Sequence, residues 1–289
     1  MIIISCSHGK HLGHLIVKKI KNKFSRLIVD KFPDDELHLR FDNNMKNRKI
    51  FLVQSFYRNI SDCVIEVIFA AKTAKELGAK KVILIAPYFP YLRQDKRFRK
   101  GEAVSQRIIA DIIDKYFDEV YVIDPHLHRK NKLENIFKIK SKRLTANSLI
   151  VEYIKTHIKN PIIVGPDEES YKWAWNVANI LGVKSLILKK KRLSSYNVKV
   201  KLDKKIYLKN KNVVIVDDIV STGHTILETA KLLRKLGAKN IHCICVHGIF
   251  VNNALEKLMK AKIRVVSTNT IPSKVAKIDV SRLIGDSLK

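Results

Sequence analysis

Residues 213–226 read VVIVDDIVSTGHTI, and this stretch decides the fold of the chain. A short, β-branched apolar run is followed by an acidic pair, a small polar segment and the start of a helical pattern. Unalternating apolar runs of this kind are typical of parallel strands that are buried on both faces. In open α/β sheets, ligands bind beyond the carboxyl ends of such strands. The stretch therefore predicts a parallel sheet with a ligand site at its edge.

The polar residues of this stretch form two groups with different chemistry. One group offers hydroxyls and consecutive backbone N–H groups where a helix begins; its members are Ser221, Thr222, Gly223, His224 and Thr225. Such a cradle binds phosphate because unpaired N–H groups and the helix dipole favour an anion. The acidic pair, Asp217 and Asp218, instead accepts hydrogen bonds from hydroxyls or holds Mg²⁺. Together they predict a sugar-phosphate site, such as one for ribose 5-phosphate; the alternative is an N-capped turn with solvated aspartates.

The rest of the chain repeats this organisation. Short apolar runs alternate with helix-like segments, which predicts an α/β fold with parallel sheets. Residues 77–80 and 236–239 both read LGAK, and each copy follows an amphipathic helix and precedes a buried strand. We interpret this as a duplicated domain, with chance reuse of a common turn as the alternative. The predicted domains are 1–143 and 144–289. Gln54-Ser55 then occupies the place of the acidic pair, so only the second domain is expected to bind a ribose phosphate.

Composition limits the class of protein. The chain has 56 Lys and Arg against 27 Asp and Glu, a net charge of +29. Because the lysines are spread along the chain, we interpret them as a solvated surface, with a nucleic-acid surface as the alternative. Apolar runs fall short of the ~18–20 residues of a membrane span, and the N-terminus lacks a signal-peptide pattern. Four cysteines without a C-x-x-C motif predict buried thiols in a reducing cytoplasm and no zinc site. From the short apolar runs, no membrane partner is expected.

Several segments carry a resemblance to one family. Residues 213–226 resemble the phosphoribosyl-diphosphate loop of type I phosphoribosyltransferases and of ribose-phosphate diphosphokinases. Residues 87–105 read PYFPYLRQDKRFRKGEAVS and resemble the diphosphokinase signature PYFGYARQDKxFxxGEPIS. Residues 32–37 and 124–126 are similar to the FPDGE and DPH segments of the same family. The chain is identified as a member of the ribose-phosphate diphosphokinases. This resemblance implies two similar type I phosphoribosyltransferase-like domains, each with a mainly parallel sheet flanked by helices.

The resemblance also implies an activity: transfer of the β,γ-diphosphoryl group of MgATP to ribose 5-phosphate, with Mg²⁺ as cofactor. It implies that the first domain contacts ATP through Phe32, Asp34, Glu36, Arg93, Gln94 and His126. His126 would contact the Mg²⁺ of MgATP, Asp167 would contact a second Mg²⁺, and Lys190 and Arg192 would be catalytic on a mobile loop. The ribose 5-phosphate site would consist of Arg192, Asp217, Asp218, Ser221, Thr222, Gly223, His224 and Thr225. A homo-oligomer with an ATP site shared between subunits is expected, without a dedicated nucleic-acid partner.

The chain departs from the family pattern at several places, among them Lys189, which replaces an acid. Asp35 and His224 stand where glycine is usual, and residues 168–170 read EES where the family has two glycines after PDx. The departures at residues 168–170 and at His224 keep a non-catalytic regulatory paralogue as an alternative. A phosphoribosyltransferase would share residues 213–226 but would need no ATP site. A nucleic-acid-binding protein would rest on net charge alone. Formation of AMP from MgATP and ribose 5-phosphate separates the diphosphokinase from all three.

Overall fold

The computed structural model describes residues 1–127, 132–168, 170–192, 198–202 and 208–289, with only the backbone of 188–192 and 198–202. The chain forms two compact units. One contains Met1–Leu144 together with Val280–Lys289, and the other contains Thr145–Asp279. Each unit is built around one seven-stranded sheet. The fold is therefore α/β, as the alternation of apolar runs and helical segments predicts.

The first unit contains β1 (Ile2–Ser5), α1 (Lys10–Ile20), β2 (Lys23–Lys31), β3 (Leu37–Phe41), β4 (Lys49–Val53), α2 (Ile60–Glu76), β5 (Lys81–Ala86), α3 (Ser105–Tyr116), β6 (Glu119–Ile123) and β7 (Lys140–Leu144). Its strand order is β3-β2-β1-β4-β5-β6-β7. Neighbouring strands are parallel except for the antiparallel hairpin β2–β3 at one edge. The carboxyl ends of β1, β2, β4, β5 and β6 thus lie at one edge of this sheet.

The second unit contains α4 (Asn147–His157), β8 (Pro161–Gly165), α5 (Tyr171–Leu181), β9 (Ser185–Arg192), β10 (Val198–Leu202), β11 (Asn212–Val220), α6 (His224–Lys235), β12 (Asn240–Gly248), α7 (Ala254–Lys260), β13 (Arg264–Thr268) and β14 (Ala276–Ile278). Its strand order, β10-β9-β8-β11-β12-β13-β14, repeats the pattern of the first unit. Here too only the edge pair, β9–β10, is antiparallel. The predicted similarity of the two sheets is therefore present strand by strand.

Register gives the residue equivalence between the two sheets. Lys49 of β4 pairs with Lys81, and Asn212 of β11 pairs with Asn240. Counting along each central strand from Lys49 and from Asn212 aligns Gln54 with Asp217. Gly78 and Gly237 in the two LGAK segments have φ of 82° and 91°, the left-handed conformation that ends a helix. A Cβ at Gly237 would lie 3.2 Å from the Cα of Lys209, so this turn also needs the absence of a side chain.

The helices bury the faces that their sequence periodicity predicts. On α6, Ile226, Ala230 and Leu233 are each at most 1% exposed. Full burial of one such leucine contributes roughly 1.5–3 kcal/mol of transfer free energy. Among the described helices, none has both the length and the apolar character that crossing a membrane would require.

The predicted domain division is wrong for the C-terminal residues. Residues 280–289 were expected in the second domain, but they pack with the first unit, where helix α8 (Ser281–Ser287) contacts α1. A Cβ at Gly285 would lie 2.8 Å from Cγ2 of Ile20, and Lys142 Nζ donates to the carbonyl of Ser287 at 2.8 Å. The sequence prediction assigned residues 280–289 to the second domain because they follow it along the chain. Their docking on the first unit depends on contacts with residues more than a hundred positions away, which no local pattern reveals.

A buried carboxyl group accepts hydrogen bonds from residues that follow two strands of the first sheet. Glu66 of α2 is 4% exposed. Its Oε1 accepts hydrogen bonds from the N–H of Ser7 at 2.7 Å and from the Ser7 hydroxyl at 3.1 Å, while Oε2 accepts from Gln54 Nε2 at 3.1 Å. Ser7 follows β1 and Gln54 follows β4, so the donors at these two strand ends already have an anionic partner. Burial raises the pKa of Glu66, partly opposed by these donors.

The raised pKa of Glu66 predicts a pH-dependent stability. Relative to the unfolded state, folding favours the protonated form of Glu66, so this stabilisation is complete below the ordinary carboxyl pKa and is lost as pH rises through the folded-state pKa. Glu66→Gln cannot ionise and should lose this component. The free energy of unfolding of wild type minus that of the variant should therefore be largest at low pH and should fall as pH rises. Free energies of unfolding from urea titrations between pH 4 and 8 measure the difference. Glu76→Gln, an exposed change on the same helix, is the control; a wild-type minus Glu66→Gln difference that is flat with pH would contradict the prediction.

Candidate active site

The acidic pair lies inside the central strand of the second unit. Asp217 and Asp218 are 8% and 3% exposed, and β11 continues past them to Val220. The sequence pattern placed the pair just after the strand, so the observed strand is longer than predicted. Oδ1 of Asp217 accepts from the Ser170 hydroxyl at 2.7 Å and from the Asp218 N–H at 3.0 Å. Oδ1 of Asp218 accepts from the Ile219 N–H at 2.8 Å.

Asp167 reaches the same place from the neighbouring strand β8. Helix α5 approaches the end of that strand closely. A Cβ at Gly165 would lie only 2.9 Å from the Cα of Tyr171 in α5, so this approach needs glycine. Oδ1 of Asp167 accepts from the Ser170 N–H and from the Ser170 hydroxyl, both at 2.8 Å. The Ser170 hydroxyl therefore contacts both Asp167 and Asp217. One hydroxyl proton can serve only one of these two carboxylates at a time.

The electrostatics of this cluster favour a bound cation or a hydroxyl-bearing ligand. Burial raises the pKa of Asp217 well above its ordinary value, the charges of Asp218 and Asp167 raise it further, and the Ser170 hydrogen bond opposes them. In the described part of the chain, no three His, Cys, Asp or Glu side chains form a complete metal site. Mg²⁺ needs no such cage, because it is commonly held by one or two carboxylates together with waters and substrate phosphates. Carboxylate oxygens such as those of Asp167 are the type of ligand that this cation prefers.

The predicted phosphate cradle lies directly beyond the acidic pair. Ser221–Gly223 form the turn, and α6 begins at His224, so His224 and Thr225 belong to the first helical turn instead of the loop. Gly223 has φ 73° and its Cα packs beside Leu258 and Ala254 of α7. The N-cap residue of α6 is Gly223, which has no side chain to cap the helix. A helix start of this kind presents N–H groups and a positive dipole end to an anion.

The predicted catalytic cations lie on strand β9. The pattern predicted a loop after residue 188, but β9 continues through Arg192 and pairs in antiparallel register with β10. The β8 partner of β9 ends at Gly165, opposite Ile187, so the backbone of Lys190 and Arg192 runs beyond the carboxyl edge of β8, where Asp167 follows. The side chains of Lys190 and Arg192 lie outside the described residues.

In the first unit, the predicted adenine-contacting residues form the tip of the β2–β3 hairpin. Phe32, Asp34 and Glu36 are exposed, Phe32 by 51%. The Phe32 N–H donates to Glu36 O and the Asp35 N–H donates to Phe32 O, both at 2.9 Å. Asp35 has φ 73° and Nζ of Lys31 lies 3.0 Å from its Oδ1. Asp35 thus adopts the left-handed conformation that glycine would adopt, at a cost of roughly 1–2 kcal/mol.

The predicted triphosphate loop follows β5 and is ordered by Glu102. Its carboxylate accepts from the N–H groups of Phe98 and Arg99 at 2.9 and 3.1 Å, and its carbonyl accepts from Arg97 Nε at 3.0 Å. Oε1 of Gln94 accepts from the Ser105 hydroxyl at 2.9 Å, which ties the loop to the start of α3. Arg93 is exposed at the beginning of this loop.

His126 follows β6, the neighbour of β5, and is half-buried. Two residues earlier, Asp124 is fully buried and has φ 35°. Its N–H donates to Leu144 O at 2.9 Å, which holds this unusual backbone in place. Arg93, Gln94 and His126 therefore follow adjacent strand ends. The hairpin tip does not join them within the unit, because β1 and β4 separate β2 from β5 and adjacent strands are ~4.8 Å apart.

The sequence prediction missed three residues that shape these segments: Asp124, Glu102 and Ser170. Asp124 and Glu102 lie within the motifs that carried the resemblance, and their acidic character was the available signal. Ser170 was noted only as a departure from glycine. Its contact with Asp217 spans 47 positions of the chain, which no local pattern reveals.

Comparison with known proteins agrees with this architecture along the whole chain. Residues 1–116 match the family model of the N-terminal domain of ribose phosphate pyrophosphokinase, and residues 132–283 match that of the phosphoribosyl transferase domain. The crystal structure of phosphoribosylpyrophosphate synthetase from Mycobacterium smegmatis is similar with a TM-score of 0.89 and 25% identity, covering 99% of this chain and 97% of that one.

Curated relatives extend the match to sequence. The ribose-phosphate pyrophosphokinase of Pyrococcus furiosus is 35% identical over 280 residues, 97% of each chain. That of Methanothermobacter thermautotrophicus is 34% identical over 290 residues, covering both chains completely. Identity at this level over full length, together with two matching domain models and the duplicated sheets, shows that the chain belongs to the ribose-phosphate pyrophosphokinase family of enzymes.

Proposed function

We propose that this enzyme transfers the β,γ-diphosphoryl group of MgATP to the 1-hydroxyl of ribose 5-phosphate for nucleotide biosynthesis. The hydroxyl oxygen bonds to the β-phosphorus, the bond between that phosphorus and the α,β-bridging oxygen breaks, and AMP leaves. The products are 5-phosphoribosyl 1-diphosphate and AMP. The observation that carries the proposal is the burial of Asp217 and Asp218 in β11, just before the turn that leads into the start of α6. Acceptors for ring hydroxyls thus lie beside donors for a phosphate.

The second unit supplies the sugar-phosphate contacts in this proposal. Residues 221–225 bind the 5-phosphate through hydroxyls and helix N–H groups. Asp217 and Asp218 accept hydrogen bonds from the ribose hydroxyls. These hydrogen bonds offset part of the desolvation free energy that burial of the two carboxylates costs. Arg192 adds a cation to the same phosphate-rich ligand. Such a transfer depends on positioning and on charge stabilisation, which these groups provide without covalent chemistry by the protein.

The first unit supplies the ATP contacts in this proposal. Arg93 and Gln94 bind the triphosphate and nucleoside from a loop that Glu102 orders, and His126 approaches from the adjacent strand end. Phe32 stacks on adenine, with Asp34 and Glu36 accepting from its amino group. The hairpin that carries these three is separated from the β5 loop by two strands, which favours an ATP site shared between subunits of a homo-oligomer.

Mg²⁺ is the proposed cofactor, with His126 as a protein contact of the ion that accompanies ATP and Asp167 as a contact of a second ion beside the sugar phosphate. When bound, it would neutralise phosphate charge and favour the ionised form of the attacking hydroxyl. We assign no protein base to the hydroxyl proton. Lys190 and Arg192 stabilise the charge of the diphosphoryl group in transit. The buried free thiols of the four cysteines accord with a reducing cytoplasm, and the +29 charge is assigned to the solvated surface without a nucleic-acid or membrane partner.

The direct test is product analysis. With MgATP and ribose 5-phosphate together, AMP and 5-phosphoribosyl 1-diphosphate should form in equal amounts, and removal of either substrate or of Mg²⁺ by chelation should stop the reaction. ³¹P NMR identifies both products. ADP as the main product would contradict the proposal, because it indicates γ-phosphoryl transfer.

Asp217→Asn combined with Asp218→Asn should weaken ribose 5-phosphate binding by about two orders of magnitude or more, because two charged acceptors are lost. ATP binding should be nearly unchanged. Calorimetry with each ligand measures both affinities. Asp111→Asn with Asp286→Asn, two exposed aspartates, is the matched control. Unchanged ribose 5-phosphate affinity in the first variant would place the sugar elsewhere.

Lys190→Ala and Arg192→Ala should each lower kcat by ~10²–10⁴-fold with smaller effects on KM, because a cation that acts on the transition state contributes there selectively. Steady-state AMP formation measures both constants. Lys191→Ala, which removes a neighbouring cation outside the family pattern, should remain within a few-fold of wild type. A change in kcat below threefold for Lys190→Ala or Arg192→Ala would make the assignment wrong.

A further inference from the structure

Ser170 joins two carboxylates that come from different strands. It is 4% exposed and lies at the start of α5. Its hydroxyl is 2.8 Å from Oδ1 of Asp167 and 2.7 Å from Oδ1 of Asp217, and its N–H donates to Oδ1 of Asp167 at 2.8 Å. A residue that stands in place of a family glycine is thus the link between the turn after β8 and the interior of β11.

We propose that Ser170 is a positioning residue for ribose 5-phosphate binding, in that its hydroxyl holds the Asp217 carboxylate in the orientation that accepts a ribose hydroxyl. This inference rests on the sugar site of the proposed function. Both described donors of Asp217, the Ser170 hydroxyl and the Asp218 N–H, converge on Oδ1. In this proposal, Oδ2 is the oxygen that accepts the ribose hydroxyl.

The geometry also predicts which carboxylate depends on the hydroxyl. Asp167 receives the backbone N–H of residue 170 as well as the hydroxyl, and that N–H persists when the side chain is shortened. Asp217 receives only the hydroxyl from Ser170. Removing the hydroxyl leaves Asp217 with one backbone donor, beside the like charges of Asp218 and Asp167. The effect should therefore fall on the sugar ligand more than on ATP.

The experiment compares Ser170→Ala with Ser170→Thr, which restores a hydroxyl. Ser267→Ala is the control: this serine is also buried and in the same unit, and its hydroxyl is 3.5 Å from Oγ of Ser273. KM for ribose 5-phosphate, KM for ATP and kcat are measured from AMP formation. Calorimetry of ribose 5-phosphate binding provides a measure that does not need turnover. Circular dichroism sets an assay temperature at which every variant is folded.

Ser170→Ala should raise KM and Kd for ribose 5-phosphate about three- to tenfold, the range expected for one net hydrogen bond. KM for ATP should stay within twofold, and both Ser170→Thr and Ser267→Ala should resemble wild type. Equal ribose 5-phosphate affinity in wild type and Ser170→Ala would overturn the inference, as would an equal rise in KM for ATP or a threonine variant that behaves like alanine.

The proposed function and this inference fail in different ways. If wild type binds ribose 5-phosphate but forms no AMP, the proposed reaction is wrong, while weaker binding by Ser170→Ala still supports the positioning role. If wild type forms AMP and Ser170→Ala binds the sugar phosphate normally, the reaction stands and the positioning role is wrong. If wild type does not bind ribose 5-phosphate, the sugar site and the positioning role are both overturned.

Discussion

The burial of two adjacent carboxylates in a central strand is the constraint on which the second unit depends. An ionised carboxylate away from water is costly unless hydrogen bonds or a cation offset the loss of hydration. Asp217 and Asp218 receive two backbone N–H groups from their own strand, and Asp217 also receives the Ser170 hydroxyl. These donors satisfy part of the demand. A cation or a polyhydroxylated ligand would add further favourable contacts at this strand end.

The two units have the same strand order but carry different polar groups at the end of the central strand. Their sheets have the same strand order, and β4 occupies the position of β11. At the end of β4, Gln54 replaces the acidic residue, and the Glu66 carboxylate on the following helix accepts from the donors there. The first unit thus carries its own anion at this edge. In the second unit, the corresponding edge has acidic acceptors beside a helix start.

The remaining polar machinery of the first unit lies on loops and on a projecting hairpin. The β2–β3 hairpin holds exposed Phe32 at its tip, and the charged loop after β5 is shaped by Glu102. Most of the hydrophobic core lies among the strands and the inner faces of α2 and α3, although Phe89 and Leu92 at the start of the β5 loop also pack into it. A rigid sheet with polar loops at one edge lets ligand contacts differ between the two units without altering the core.

The sequence by itself determined the class of fold, the duplication and the main acidic and phosphate-binding candidates. It could do so because buried parallel strands, LGAK helix ends and strand-to-helix turns depend on residues close together in the chain. It could not place α8 on the first unit, extend β11 through Asp217 and Asp218, or reveal the Ser170 and Glu66 contacts. Each of these depends on packing and hydrogen bonds between distant segments. Only the tertiary structure decides which polar side chains at a sheet edge satisfy one another and which turn toward a ligand.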